Sequence, residues 1–468
     1  MDKTEFAGFT KNYLYLLLSQ IVTYAFNFFI AVSIAKKLGV THFGEFFLIA
    51  TIQNFFLLIA DFGINTLYLR EASKDRTLLN TYLNNIFALK LLLFIIAYIL
   101  MQIFVMIFGY TAHIANLSLI FGLSMLPIGF STLFIFTFRA IGRMDRELLT
   151  ACFNGIVTIL FLLWMYHSDI SIEKVIMLWC FMNVLVMFFS FFVLKKTVEI
   201  TLKPEYTLWR TLLSEAKYFL LYMLTSWVYI QIDTIMLSQY NSIDAVGLYQ
   251  AAVKIVTVSV IFGDVMLYNF FPFISGKYRE DPRKGKYLIG KISELTMAVV
   301  WPVLIAVIFF GKEALFTIYG PQYIQASLPL ILLGIGYLFY YGPPYGIILP
   351  ALGYQKINFH IALWAAVANI ILNLILIPKY GIAGAAAATS LTYIGMKCIY
   401  MIVFVKLKLP IFSLNNIVFF FIILFMTILV KTFQTHFILG ILLYILVIIF
   451  YIYKNIFKKI QLELTYNI

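Results

Sequence analysis

The chain has 468 residues, 63% of them hydrophobic and 12% charged, with a formal net charge of +13. So apolar a composition excludes a soluble globular protein. The positive charge raises nucleic acid as a partner, but its confinement to alternate loops, described below, points to a membrane instead.

Taken in chain order, apolar segments fall at 12–33, 42–63, 83–109, 114–138, 148–166, 171–194, 213–238, 244–274, 292–311, 325–349, 358–377, 382–405, 412–430 and 437–453. Each reaches, or nearly reaches, the ~20 residues that a bilayer-spanning helix needs. The fold class predicted is therefore all-α: a polytopic membrane protein of about fourteen spans, or twelve if the terminal pair does not cross. Of the 34 Lys and Arg residues, 25 lie in the termini and every second loop. The seven alternate loops hold six, namely Lys36, Lys37, Lys174, Lys312, Lys379 and Lys431, and Lys90, Lys254 and Lys397 lie inside segments. Positive charge stays on the cytoplasmic side, so both termini are expected there. Residues 1–11 are polar and the first apolar run is too long for a signal-peptide core, so the first span is expected to act as its own insertion signal.

The longest loops, 64–82, 195–212 and 275–291, are all on the basic side and too short to fold alone. Function is thus expected within the helical bundle. A shift of 203 residues lays Gly44 on Gly247, Phe46 on Tyr249, Ile52 on Ile255 and Asp61 on Asp264. Six spans separate these partners, which implies a parallel repeat. The domains expected are an N-terminal six-helix lobe at 1–205, a C-terminal six-helix lobe at 206–408, and two extra spans with a basic tail at 409–468. Pro127, Pro272 and Pro302 sit within spans, and Pro343-Pro344 interrupts the tenth. Each is expected to bend its helix, as either a passive kink or a hinge.

Enzyme signals are poor: there is no GxxxxGK[ST], HExxH or CxxC pattern. No cofactor or metal is expected. Cys152, Cys180 and Cys398 lie far apart in apolar segments and read as small core residues. His360, the one histidine well inside a span, reads as a hydrogen-bonded packing residue.

Ionisable groups inside spans are the better clue, because they are costly in hydrocarbon and face a bundle interior or a wet cavity. Asp233 lies in the seventh span. Lys254 lies ten residues into the eighth, about 15 Å at ~1.5 Å per residue, which is too deep to snorkel easily. It reads as an ion-pair partner or as an anchor for an anionic substrate. Asp61 and Asp264 are candidates for gate or ion-coupling contacts, with interfacial solvation as the alternative. Lys90 and Lys397 are expected to snorkel. Gln20, Thr23 and Asn27, with Thr51, Gln53 and Asn54, are spaced to share faces and read as packing contacts or cavity lining. Among the basic-side cations, Arg139 is the preferred phosphate candidate, arginine's fork matching phosphate geometry. The neighbouring charge also attracts anionic headgroups by roughly 1 kcal/mol per residue.

Four stretches then carry a resemblance. They are Ile34-Ala35-Lys36-Lys37-Leu38-Gly39-Val40-Thr41-His42-Phe43-Gly44-Glu45-Phe46, and Phe138-Arg139-Ala140-Ile141-Gly142-Arg143-Met144. Next come Ile232-Asp233-Thr234-Ile235-Met236-Leu237 with Val246-Gly247-Leu248-Tyr249-Gln250-Ala251-Ala252-Val253-Lys254, and lastly Asn369-Ile370-Ile371-Leu372-Asn373-Leu374 with Ile377-Pro378-Lys379-Tyr380-Gly381-Ile382-Ala383-Gly384-Ala385. In this order they resemble the polysaccharide-exporter branch, O-antigen flippases in particular, of the multidrug/oligosaccharidyl-lipid/polysaccharide superfamily.

The resemblance implies two six-helix lobes around a central cavity and alternating access. It implies an undecaprenyl-pyrophosphate-linked oligosaccharide as substrate, moved from the cytoplasmic to the periplasmic leaflet of a bacterial inner membrane. It also makes Lys254 and Asp233 the positions that match cavity residues engaging pyrophosphate or sugar. Arg139, Asn27 and Asn54 complete the cavity candidates. Expected partners are the lipid-linked oligosaccharide, membrane lipids, a Na+ or H+ counter-ion and other polysaccharide assembly proteins, with no nucleic acid. Export of a cell-wall precursor or drug on the same fold, and a membrane polymerase or glycosyltransferase, remain as alternatives.

Overall fold

The computed structural model describes residues 3–168, 170–198, 205–342, 345–410 and 414–432. Among them every regular element is helical, and ten helices are long and apolar enough to cross a membrane. The fourteenth apolar segment, 437–453, lies outside the described residues. Large side chains face outward along these helices, as at Ile95, Met106, Leu160 and Phe188, while Gln53, Lys90, Asn369 and Asn373 are buried. That inside-out arrangement suits a lipid surround. The protein is a multi-pass membrane protein.

Two compact units form, Met1–Gly247 and Leu248–Ile468. In the first, α1 (Lys3–Asp61) contains two spans joined at Gly39. Gly39 adopts φ 78°, ψ −175°, a region essentially open only to glycine, so the chain reverses with no loop. Helix α2 (Ile64–Lys74) converts much of the longest basic-side loop into an amphipathic helix. Then come α3 (Leu78–Ile107), α4 (Ala112–Gly122), α5 (Met125–Ala140), α6 (Met144–His167), α7 (Ile172–Lys195) and α8 (Tyr206–Tyr240). Helices α4 and α5 divide the expected fourth span at 123–124, which puts Pro127 in the first turn of α5, where its missing N–H is harmless. Helix α1 packs on α3, α6 and α8, and α5 packs on α7.

Helix α9 (Ile243–Glu280) begins in the first unit and continues into the second. Its start meets α1 at a very close approach. A Cβ on Gly44 would lie 2.2 Å from the Ile243 carbonyl oxygen, and one on Gly247 would lie 2.2 Å from that of Val40. The two contacts are reciprocal: adding 203 to Val40 and Gly44 gives Ile243 and Gly247. The shift seen in the sequence therefore recurs as a local two-fold contact between backbones.

The second unit holds α10 (Pro282–Ile318), a 3-10 turn (Pro321–Ala326), α11 (Ser327–Tyr340), α12 (Tyr345–Ala351), α13 (Gln355–Lys406) and α14 (Leu414–Thr432). Asp281 caps α10 by accepting from Arg283 N at 2.8 Å, with proline at the first helical position. The departure from helical geometry in α10 falls at Phe310, eight residues past Pro302. Helix α13 is two spans joined at Gly381, φ 54°. Its arms meet where a Cβ on Gly384 would lie 2.2 Å from the Leu376 oxygen. Asn373 donates to Asn369 at 3.0 Å, and Asn369 donates to Thr392 on the opposite arm at 3.4 Å. The asparagines of the fourth motif are thus helix-packing groups. Ala298 and Ile305 of α10 form a core with Phe419 and Ile423 of α14.

Some expectations fail at this level. Lys90 and Lys397 do not snorkel: both are buried, at 0% and 4% exposure. Cys152 and Cys398 are exposed rather than in the core, because they sit on outward faces of helices whose apolar surround is lipid; all three thiols are free. His360 is exposed, with Nδ1 2.7 Å from the Lys356 oxygen.

Candidate functional site

The first unit holds an open cavity of about 340 Å³ between α1, α5, α6 and α7, where polar side chains are set in a partly apolar lining. Its charged end is built by the turn between α5 and α6. Gly142, at φ 74°, reverses the chain so that Arg139 in the last turn of α5 faces Glu147 in the first turn of α6. Each end suits its charge through the helix dipole. Arg139 donates from Nε to Glu147 Oε2 at 2.8 Å and from Nη2 to Oε1 at 2.6 Å, a bidentate pair. Ser19 of α1 adds a hydrogen bond to Glu147 Oε1 at 3.3 Å.

From this pair the cavity runs inward along uncharged polar groups. Gln20 and Thr23 come from α1, Ser131 and Thr132 from α5, Thr150 and Asn154 from α6, and Asn183 from α7. Ser131 Oγ is buried and has no hydrogen-bond partner among the described residues.

The other sequence candidates are dispersed. Asn27 and Asn54 are exposed on α1, outside this cavity, while their neighbours Gln20 and Thr23 line it. Gln53 is spent on packing: it donates to the Phe121 carbonyl at 3.0 Å and to Ser124. Asp233 is buried on α8 and accepts from Thr234 N at 2.8 Å. Lys254 is half-buried on α9 in the second unit. Asp61 holds Lys90 at 2.6 Å across α1 and α3. The side chain of Asp264 lies outside the described residues.

Several basic-side cations are neutralised locally. Arg143 grips Asp145 through two hydrogen bonds of 2.9 Å, which raises its already high pKa. Arg70 reaches Glu215 at 3.2 Å and Glu71, and Lys277 reaches Glu280 at 2.7 Å. At the end of α2, hydrogen bonds from the Thr77 hydroxyl and N–H hold the Asp75 carboxyl below its ordinary range.

Two groupings escaped the sequence reading. Glu45 is shared by two histidines, His42 at 2.7 Å and His113 at 3.4 Å, with Glu173 4.0 Å from His113. Only the His42/Glu45 spacing of three was visible beforehand; the other members come from α4 and α7. Among the described residues no group of three or more suits a metal ion. In the second unit, Lys397 lies 4.1 Å over the Tyr345 ring, a cation–π contact. It lines a separate apolar cavity of about 230 Å³ with Trp301 and Phe420.

Residues 9–277 match the family described as polysaccharide biosynthesis protein. Over 193 residues the chain is 26% identical to the probable low-salt glycan biosynthesis flippase Agl15 of Haloferax volcanii, covering 41% of each protein. It is 23% identical over 148 residues to the capsular polysaccharide biosynthesis protein CapF of Staphylococcus aureus, covering 31% of this chain and 37% of that one. The matched stretches thus span about two fifths of the length of these curated relatives. The fold is similar to that of the lipid II flippase MurJ in an inward closed conformation: TM-score 0.74, 18% identity, covering 96% of this chain and 99% of that one. An inward-facing multidrug resistance MATE transporter gives a TM-score of 0.63 at 13% identity, covering 85% and 95%.

Proposed function

The chain belongs to the polysaccharide biosynthesis protein family, and from that premise we propose that it is a flippase for lipid-linked oligosaccharide, a transporter and not an enzyme. The observation that carries this reading is the polar cavity of about 340 Å³ inside a unit whose outer surface is apolar. A glycan cannot cross hydrocarbon, so it needs such a wet interior, while its lipid tail stays in the bilayer. The similarity to Agl15, a probable glycan biosynthesis flippase, and the fold shared with MurJ support the same conclusion.

In its finer form the proposal has an undecaprenyl-pyrophosphate-linked O-antigen unit moving from the cytoplasmic to the periplasmic leaflet of a bacterial inner membrane by alternating access. Spans at 1–205 and 206–408 supply the two lobes, and those at 409–468 are accessory. Lys254 and Asp233 engage the substrate, and Asp61 or Asp264 couples a Na+ or H+ gradient. Arg139 spends two of its five N–H groups on Glu147, which also neutralises its charge, so Lys254 is the cation we assign to the pyrophosphate.

The test is complementation of cells lacking their own O-antigen flippase, comparing wild type with Lys254→Ala and Asp233→Ala at equal membrane abundance. Surface polysaccharide restored by wild type, and reduced at least tenfold by each variant, is expected. Restoration by all three returns Lys254 and Asp233 to structural roles. Failure of wild type with the matching glycan present sinks the O-antigen assignment.

A further inference from the structure

We propose that the cavity of the first unit is a saccharide subsite, which takes an uncharged sugar ring by accepting hydrogen bonds from its hydroxyl groups. The proposal rests on the flippase reading for the origin of that sugar, and on the lining for its chemistry.

The hydrogen-bonding capacity that the lining has left decides what it can hold. Thr23 donates its hydroxyl hydrogen to the Ser19 carbonyl and Thr132 to that of Ile128, both at 2.8 Å, and Thr150 donates to Arg146 at 3.0 Å. These are back-bonds within each residue's own helix. A hydroxyl has one hydrogen and two lone pairs, so each of these threonines offers the cavity an acceptor. Asn183 donates one amide N–H to the Trp179 carbonyl at 2.8 Å, which leaves its side-chain oxygen as an acceptor and its second N–H as a donor. Ser131 Oγ, buried and unpartnered among the described residues, is a polar atom that water or a ligand must meet.

A lining of three threonine acceptors, amides that both donate and accept, and a neutralised ion pair discriminates among possible occupants. Phosphate and pyrophosphate bring acceptors and need donors, and the one guanidinium present already places two N–H groups on Glu147. A metal cation would find Glu147 neutralised by Arg139, with one oxygen also bonded to Ser19. A pyranose brings several O–H donors and no charge. Gln20 and Asn154 add amides, which both donate and accept and so suit hydroxyl or acetamido groups. Tyr24, Ile128 and Ile135 supply apolar wall for the C–H face of a ring. The volume, about 340 Å³, lies at the lower end of the ~300–1,000 Å³ common for small-molecule sites, room for one or two rings of a longer glycan.

Ligand-observed NMR on the full chain in detergent tests the assignment. The probes are methyl α-D-glucopyranoside, N-acetyl-D-glucosamine, D-glucuronate, inorganic pyrophosphate and Na+. We expect at least one neutral sugar to bind, and Thr132→Val with Thr150→Val, which keeps side-chain shape, to weaken it at least tenfold. Glu147→Gln, which leaves Arg139 without a counter-charge, is expected to gain glucuronate binding at least tenfold. If that variant fails to fold, the threonine pair alone decides. No neutral sugar binding, binding unchanged in the threonine variant, or pyrophosphate or Na+ held in its place each overturns the proposal. The same proteins in vesicles with a fluorescent lipid-linked oligosaccharide separate the two readings. Sugar binding without transport by wild type sinks the flippase reading and leaves the subsite. Transport undiminished in a variant that has lost sugar binding removes the cavity from the transport path.

Discussion

Lys90 shows how far a single residue can be read without its partner. Its position about one to two turns from a span end suggests a chain long enough to reach water, yet Nζ is fully buried against Asp61 at 2.6 Å. Breaking a buried pair costs more than removing it whole, because one charge is left uncompensated. Lys90→Ala and Asp61→Ala should therefore each destabilise by ~3–5 kcal/mol, and the double variant by clearly less than their sum. A double-mutant cycle on thermal unfolding in detergent measures this, and strict additivity would show the contact to be energetically idle. The same limit explains Arg139. Its type and place marked it as a phosphate ligand, but Glu147 comes within reach only because the intervening turn reverses at Gly142. Residue chemistry was legible in the sequence; which charges cancel one another was not, since that depends on contacts between elements.

At the scale of elements, glycine rather than proline sets the sharpest reversals among the described residues. The expected bends at Pro127 and Pro302 are absent as such, the first lying in an opening turn and the second eight residues before the irregularity at Phe310. The sharp reversals fall at Gly39 and Gly381. Gly39→Ala should cost ~1–3 kcal/mol, because its backbone region excludes a side chain; a melting temperature equal to wild type would contradict this. Gly44→Ala and Gly247→Ala should each cost ~1–3 kcal/mol by overpacking, and by similar amounts, because their surroundings exchange under the 203-residue shift. A marked inequality between the two, read as thermal shifts, would argue against the reciprocity. Span positions were legible because hydrophobic length needs no partner. Joints were not, because a glycine signals freedom without saying how it is used.

At the scale of the whole molecule, the all-helical membrane architecture and the family follow from hydropathy and motif order, which survive great divergence in sequence. The cavity followed less well. Spacing alone groups Gln20, Thr23 and Asn27 on one face, but only the first two line the cavity, since a shared face does not say where a neighbouring helix ends. The tight reversals also bear on how the molecule meets a protease. Among the described residues of the lysine-poor side the breaks within or between helices are Gly39, 108–111, 168 with 170–171, 241–242, 319–320 and Gly381, and each of the six lysines there lies inside a helix. Trypsin needs an exposed, unwound stretch, and the described residues of that side offer almost none next to a cleavable residue. The opposite side offers Arg76 between α2 and α3, and Lys196 just past the end of α7. Right-side-out vesicles should thus keep the chain whole, and inverted ones should lose it at those residues; cleavage in the reverse pattern would turn the molecule over in its membrane.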